Sequence, residues 1–508
     1  MGRRLAAALG VASVALLAAC SASSGVRTLQ ASASDGAAAA PTSTVADPSD
    51  PTTTGSTTPA DPTPTTPPVS TVPGRADELL NFGDEKPPRA YDEFLIAALN
   101  DVEVWWSEQY PQIYGEPFEP LGGGIYAGYP ERADPIPGCG GDEETTYDEL
   151  IYFAAFYCPE GDFMAYDDGE SGLLYQLANA FGPSVMGVVL AHEYGHAIQA
   201  RAGVLAQDPP TIVTEQQADC FSGAWLARAV RGEAPGVNVT DADIRAGLVA
   251  LIQVRDPLGV SQAEPGSHGS GFDRVGAFQV GFNEGPARCA ELVDNPLPLM
   301  PNVFITLDNP DGDADFGYGE REIPGFAERD LNDFWTAVLS GGAEPFQPLE
   351  LVPFSSAGDV TCEQELVGDP DIGALLCPSS RTVFLDEPLA RQRYDEMGDF
   401  AIGYMLGTAW SEAAQESFGS PLTGEDRALI NDCLTGAWTQ TLVPDEQGNT
   451  ARGVLIEPGD LDEAIQTALV AGDDGTADDV LGSPFEKIAS FRTGVLGGVD
   501  ACEELLQD

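Results

Sequence analysis

The stretch VVLAHEYGHAIQ, residues 188–199, decides how this 508-residue chain is read. Gly182-Pro183-Ser184 precedes an apolar-periodic run from Val185 to about Ala202, and Gly203 follows it, so the spacing predicts a helix. Four apart on one helix face, His192 and His196 can present two imidazole nitrogens to one ion. Glu193 is next in register, where a carboxylate can act as base towards a metal-activated water. A catalytic zinc takes three protein ligands and keeps one position open. The third is expected from a second helix, about Thr214 to Val230 and ended by Gly232, on which TEQQADC carries Glu215, 19 residues after His196. Asp219, one turn further along that face, is positioned to accept the outer N–H of His192 and fix its tautomer. The chain has only three histidines, two of them in this motif, which favours a metal site over an incidental amphipathic helix. Tyr194 falls on the opposite face and reads as packing.

Outside the motif, composition sets limits. The balance of 81 Asp+Glu against 23 Lys+Arg gives a net charge of -58, so no basic face is available for phosphate and nucleic acid is not an expected partner. Arg3 and Arg4 precede an apolar run, Leu5–Ala19, of a length that suits a signal segment. That run ends in Leu17-Ala18-Ala19-Cys20, which resembles the lipobox of bacterial lipoproteins. The resemblance implies a signal peptide over 1–20 and lipidation of Cys20, hence an extracytoplasmic protein anchored to the bacterial cell membrane. Residues 21–75 are rich in Ser, Thr, Pro and Ala and bury too little apolar surface to fold, so they read as a disordered tether.

The remainder repeats itself. GEPFEPL at 115–121 returns as AEPFQPL at 343–349, and ADCFSGAW at 218–225 returns as NDCLTGAW at 431–438. Two further matches keep the same order, which points to two copies of one domain, 76–300 and 320–508. Helix starts at Thr240 (with Asp243 as capping-box partner) and near Phe272, with strands at 122–129 and 163–168, make each copy a mainly helical α+β domain. Eight cysteines remain after Cys20, four per copy, which suits disulfides in an exported chain. Each set of four allows three connectivities. The favoured one joins Cys139 to Cys158 and Cys220 to Cys289, and by symmetry Cys362 to Cys377 and Cys433 to Cys502. Between the copies, residues 301–319 form an acidic linker. Its Asp311, Asp313 and Asp315 alternate as in a calcium loop, although Phe316 stands where an EF-hand needs glycine.

HEYGH followed by EQQAD resembles the gluzincin metallopeptidases. A closer resemblance is to the bacterial neutral zinc metallopeptidase family, through FYCP at Phe156–Pro159, HEYGHAIQ at His192–Gln199, EQQADCFSGAW at Glu215–Trp225 and the pattern from His268 to Cys289. It covers roughly 139–292 well and the second copy faintly. The resemblance implies a zincin-like first domain holding one zinc on His192, His196 and Glu215 and acting on a peptide or protein substrate. Glu193 would take a proton from water and pass it to the leaving amine, while His268 would donate to the developing oxyanion or else serve as a loop residue. In the second copy Thr408, Ala409 and Glu412 replace His192, Glu193 and His196, Glu215 aligns near Ala428, and His268 aligns with Leu481. That copy reads as a metal-less lobe packed on the first, and the protein as a monomer. Two other readings stay open: a non-catalytic zinc-containing surface binding protein, and a zinc amidase acting on cell-wall peptides.

Overall fold

The computed structural model describes residues 76–505 except 141–143, 258–259, 263, 265, 301–315, 320–321, 342–344, 445–451, 453–455, 458 and 471–482. Cys20, the 21–75 tether, the aspartates at 311, 313 and 315, and Leu481 lie outside the described residues. Among those described, the architecture is mainly helical with small sheets, the α+β arrangement expected from the sequence.

Local signals account for most element boundaries. The helix bearing both histidines spans Ser184–Arg201, and the chain turns away at Gly203, which adopts φ +71°. The glutamate helix, Thr211–Val230, begins three residues earlier than its periodicity suggests, directly after Pro209-Pro210, whose extended backbone holds the preceding segment out of helix. Thr240 caps Asp241–Gln253 with Asp243 in a capping box, as anticipated. The next helix, Gly271–Glu284, is capped by the Ser270 hydroxyl, which accepts from Asp273 N–H.

The helix Asp92–Tyr114 was not anticipated. It buries Leu95, Leu99, Trp105 and Trp106, and its Asp101 accepts from Trp225 Nε1 at 3.1 Å and from Arg228. Its counterpart, Ile323–Val338, offers Asp330 to Trp438 Nε1 at 2.8 Å and to Arg452 at 2.9 Å. Both halves thus tie the tryptophan of their GAW motif to a buried aspartate from an earlier helix.

The sheets correspond as well. In the first half Leu80–Asn81, Ile125–Gly128, Phe163–Asp167 and Ala155–Cys158 lie side by side in that order, the last pair antiparallel and the others parallel. The second half orders Glu350–Phe354, Thr382–Asp386 and Ala374–Cys377 with the same parallel-then-antiparallel pairing. All four disulfides form with the favoured connectivity, and Cys220–Cys289 and Cys433–Cys502 share a sequence separation of 69. Near these two bridges the helices meet backbone to backbone. A Cβ on Gly223 would lie 2.0 Å from Phe278 O, and one on Gly436 2.0 Å from Phe491 O, so only glycine permits the approach. A continuous apolar core runs through both halves.

Candidate metal centre

Gly195 sets the spacing of the centre. A Cβ there would stand 3.0 Å from Ala218 Cα, so the histidine and glutamate helices approach closely enough for their side chains to meet at one point. His192 Nε2 lies 3.2 Å from His196 Nε2 and 3.2 Å from Glu215 Oε2, and His196 Nε2 lies 3.3 Å from Glu215 Oε1. Four tetrahedral ligands at about 2.0–2.1 Å from a zinc are separated from one another by roughly 3.3 Å. Each imidazole nitrogen therefore stands at about that spacing from the other and from one of the two Glu215 oxygens, and one ligand atom from each of the three residues lies within 4.8 Å of the others.

Hydrogen bonds turn the imidazoles the right way. His192 Nδ1–H donates to Asp219 Oδ1 at 2.7 Å, leaving Nε2 with a lone pair for the shared point. His196 Nδ1–H donates to Gln199 Oε1 at 2.9 Å, while Gln199 Nε2 donates to Thr214 O on the neighbouring helix at 2.6 Å. Asp219 is clamped from its other side by Arg274, with Nε donating to Oδ2 at 3.0 Å and Nη2 to Oδ1 at 2.8 Å. Arg274 Nη1 also donates to Val254 O at 2.8 Å.

The electrostatics call for a cation. Glu215 Oε2 is buried and accepts no hydrogen bond. Burial lowers the pKa of His192, but the Asp219 and Glu215 carboxylates outweigh it and push the value up to about 10. Burial would raise Glu215, yet His196 and His192 hold it well below the usual carboxylate range. Positive charge is thus favoured at the convergence point, and the donor set of two imidazoles and a carboxylate suits zinc.

Glu193 is buried on the same helix, and among the described residues no donor engages its carboxylate. His268 lies in the loop before Gly271–Glu284 and is about half exposed, with 48% of its side chain accessible. Its Nδ1 lies 3.3 Å from Asp256 Oδ1, while Asp256 Oδ2 accepts from the backbone N–H of His268 and Gly269, both at 2.8 Å. Burial lowers the His268 pKa, but the Asp256 bond and the Glu215 charge raise it overall. Tyr194 is buried against Phe118, in the packing role expected of it.

Arg274, Gln199 and Asp256 were not assigned roles from the sequence. Arg274 and Gln199 sit inside quoted motifs, and a buried arginine in so acidic a chain needs a carboxylate partner. Asp256 carries no such signal.

Two other clusters among the described residues have metal-compatible spacing. Cys139, Cys158 and Glu160 are accounted for by a disulfide, whereas Asp399, Asp460 and Glu463 offer oxygen alone, which is not a zinc-type set. In the second half, Gln415 Nε2 donates to Arg427 O at 2.7 Å, as Gln199 does to Thr214 O. The match sets Thr408, Ala409, Glu412, Ala428 and Asp432 at the positions of His192, Glu193, His196, Glu215 and Asp219. Arg427 Nε donates to Glu412 Oε1, so a guanidinium supplies positive charge where the first half gathers its candidate ligands.

No family model and no solved structure matches the chain. Among curated proteins, the uncharacterized protein Rv2575 of Mycobacterium tuberculosis is 35% identical over 152 residues, 26% of this chain and 52% of that protein. The uncharacterized protein YpfJ of Escherichia coli K12 is 28% identical over 222 residues, 39% of this chain and 70% of that protein. The chain spans about half the length of the mycobacterial relatives it matches.

Proposed function

We propose that the chain is an extracytoplasmic zinc metallopeptidase with a zincin-like first half, anchored to the membrane through lipidated Cys20. The observation that carries this reading is the convergence of His192, His196 and Glu215, with both imidazoles turned inward by Asp219 and Gln199, beside the unengaged carboxylate of Glu193. Four disulfides accord with an oxidising compartment.

His192, His196 and Glu215 would hold the zinc, which when bound would supply Lewis-acid activation of water and polarisation of the scissile carbonyl. Glu193 takes the proton of the attacking water and returns it to the leaving amine, a task that suits a carboxylate with no competing donor. His268 donates to the oxygen of the substrate carbonyl as it gains charge, with Asp256 fixing the ring and its positive form. Arg274 keeps Asp219 ionised and oriented, so that His192 presents Nε2 and no other atom.

The test joins elemental analysis to one substitution. Zinc is expected at about one per chain, and Glu193→Gln should keep that content while losing hydrolysis of a peptide library by at least about 100-fold. Retention of more than a few per cent of activity by E193Q would overturn the base assignment.

A further inference from the structure

The second half holds a half-open pocket of about 240 Å³ where the first half gathers its candidate metal ligands. Thr408, Ala409 and Ala428 line it, at the positions of His192, Glu193 and Glu215. Small side chains in place of an imidazole and two carboxylates open the space. It exceeds the roughly 150 Å³ that suffices for benzene, so a lysine-sized side chain fits.

The lining has two characters. Val367, Ile372, Ala409 and Ala428 make an apolar surface. The charged residues are mostly committed to one another. Glu412 accepts from Arg427 and, at 2.7 Å, from Asn431 Nδ2, and Asp369 accepts from Lys487 Nζ at 3.2 Å. Asp432 differs. It is 2% exposed, its Oδ1 accepts from the Tyr404 hydroxyl at 2.6 Å, and its buried Oδ2 accepts nothing. Three carboxylates thus face two cations, and the unfilled acceptor belongs to the carboxylate in excess.

We propose that this cavity binds an alkyl primary ammonium, either a lysine-type side chain or a free amine of that size, with its nitrogen on Asp432 Oδ2 and its stem on the apolar lining. Burial pushes the Asp432 pKa up to about 7 against the opposing Lys487 charge and Tyr404 bond, as befits a carboxylate short of a cation. The retained framework of the metal-less half then serves to hold a basic group rather than to cut. This site does not depend on the hydrolytic reading of the first half.

Calorimetric titration of the full chain carrying Glu193→Gln tests it, with three probes: Nα-acetyl-lysine amide, n-butylamine and the uncharged Nα-acetyl-norleucine amide. Binding of at least one amine is expected, at least about tenfold tighter than the norleucine probe, and Asp432→Asn should weaken it by a similar factor. Preference for the lysine amide would identify a peptide side chain as the occupant, and preference for butylamine a free amine. If Asp432→Asn does not fold, Ala409→Leu, which fills the cavity and leaves Asp432 intact, must abolish binding. Equal affinity for the norleucine probe, no binding of either amine at about 10 mM, or unchanged binding by a folded D432N or A409L chain would overturn the proposal.

Discussion

Gln199 shows how one side chain can serve both the helix pair and the candidate metal centre. It holds His196 through Oε1 and the carbonyl of Thr214 through Nε2. Gln415 keeps the second of these bonds, to Arg427 O, while its Oε1 accepts from the Ser420 hydroxyl instead of a histidine and its Nε2 also donates to Asn431 Oδ1. The structural part of the role is therefore separable from the metal part. Gln199→Leu and Gln415→Leu should each cost about 0.5–1.5 kcal/mol of stability by removing a hydrogen bond that ties two helices together. Only Q199L should also weaken zinc, by roughly 10–100-fold, because only it frees an imidazole that a ligand role requires to be fixed. Thermal denaturation of both variants and chelator competition for zinc check the pair, and equal zinc affinity in Q199L and wild type would remove Gln199 from the centre.

At the scale of elements, the close approach at Gly195 governs whether the ligands meet. Gly195→Leu must push the histidine helix off Ala218, since the contact is with backbone and cannot yield as a flexible side chain would. A displacement of about 1 Å is enough to spoil a three-ligand set, whose distances tolerate only about 0.2 Å. Zinc affinity should fall by at least about 100-fold in G195L, measured by the same competition, while the disulfides keep the domain folded. The histidine, glutamate, Asp241–Gln253 and Gly271–Glu284 helices were legible in the sequence because glycines, the Thr240–Asp243 capping box and 3.6-residue periodicity mark their ends. His192, His196, Glu215 and Asp219 were legible because their spacing is local to two helices. Asp92–Tyr114 was not: its apolar residues Trp105, Trp106 and Tyr110 are interrupted by buried Asp101 and Glu103, and the Asp101 partners Trp225 and Arg228 are remote in sequence. Asp256 and Arg274 act through contacts between distant segments, and no single-sequence pattern reports such contacts.

At the scale of the whole molecule, the second half grips the helix that steadies the candidate metal centre. Asp462, from Gly459–Val470, accepts from the backbone N–H of Phe272 at 2.7 Å and of Gly271 at 3.3 Å, so it supplies an anionic cap to Gly271–Glu284 from the other half. Arg255 closes on the same carboxylate at 2.8 Å, and Arg492 lies over the Phe272 ring and donates to Phe272 O. That helix carries Arg274, which clamps Asp219, which orients His192. Asp462→Ala in the full chain should therefore cost about 1–3 kcal/mol and measurably weaken zinc although it touches no ligand, and unchanged zinc affinity in a destabilised D462A would make the grip purely structural. The same interface should respond to pH through Asp273. Burial pushes its pKa up to about 7, Arg492 and the Met300 N–H oppose the rise, and Asp462 adds to it. An acid whose folded value exceeds its unfolded value near 3.9 carries no penalty below about pH 4 and a growing one as pH rises towards about 7. Asp273→Asn cannot ionise, so its stability relative to wild type should rise by on the order of 2 kcal/mol between pH 5 and pH 7, on top of a pH-independent loss of hydrogen bonding. Urea denaturation of both chains at pH 5, 6, 7 and 8 measures that difference, and a flat difference would mean that Asp273 is already ionised across the range and that the interface tolerates its charge.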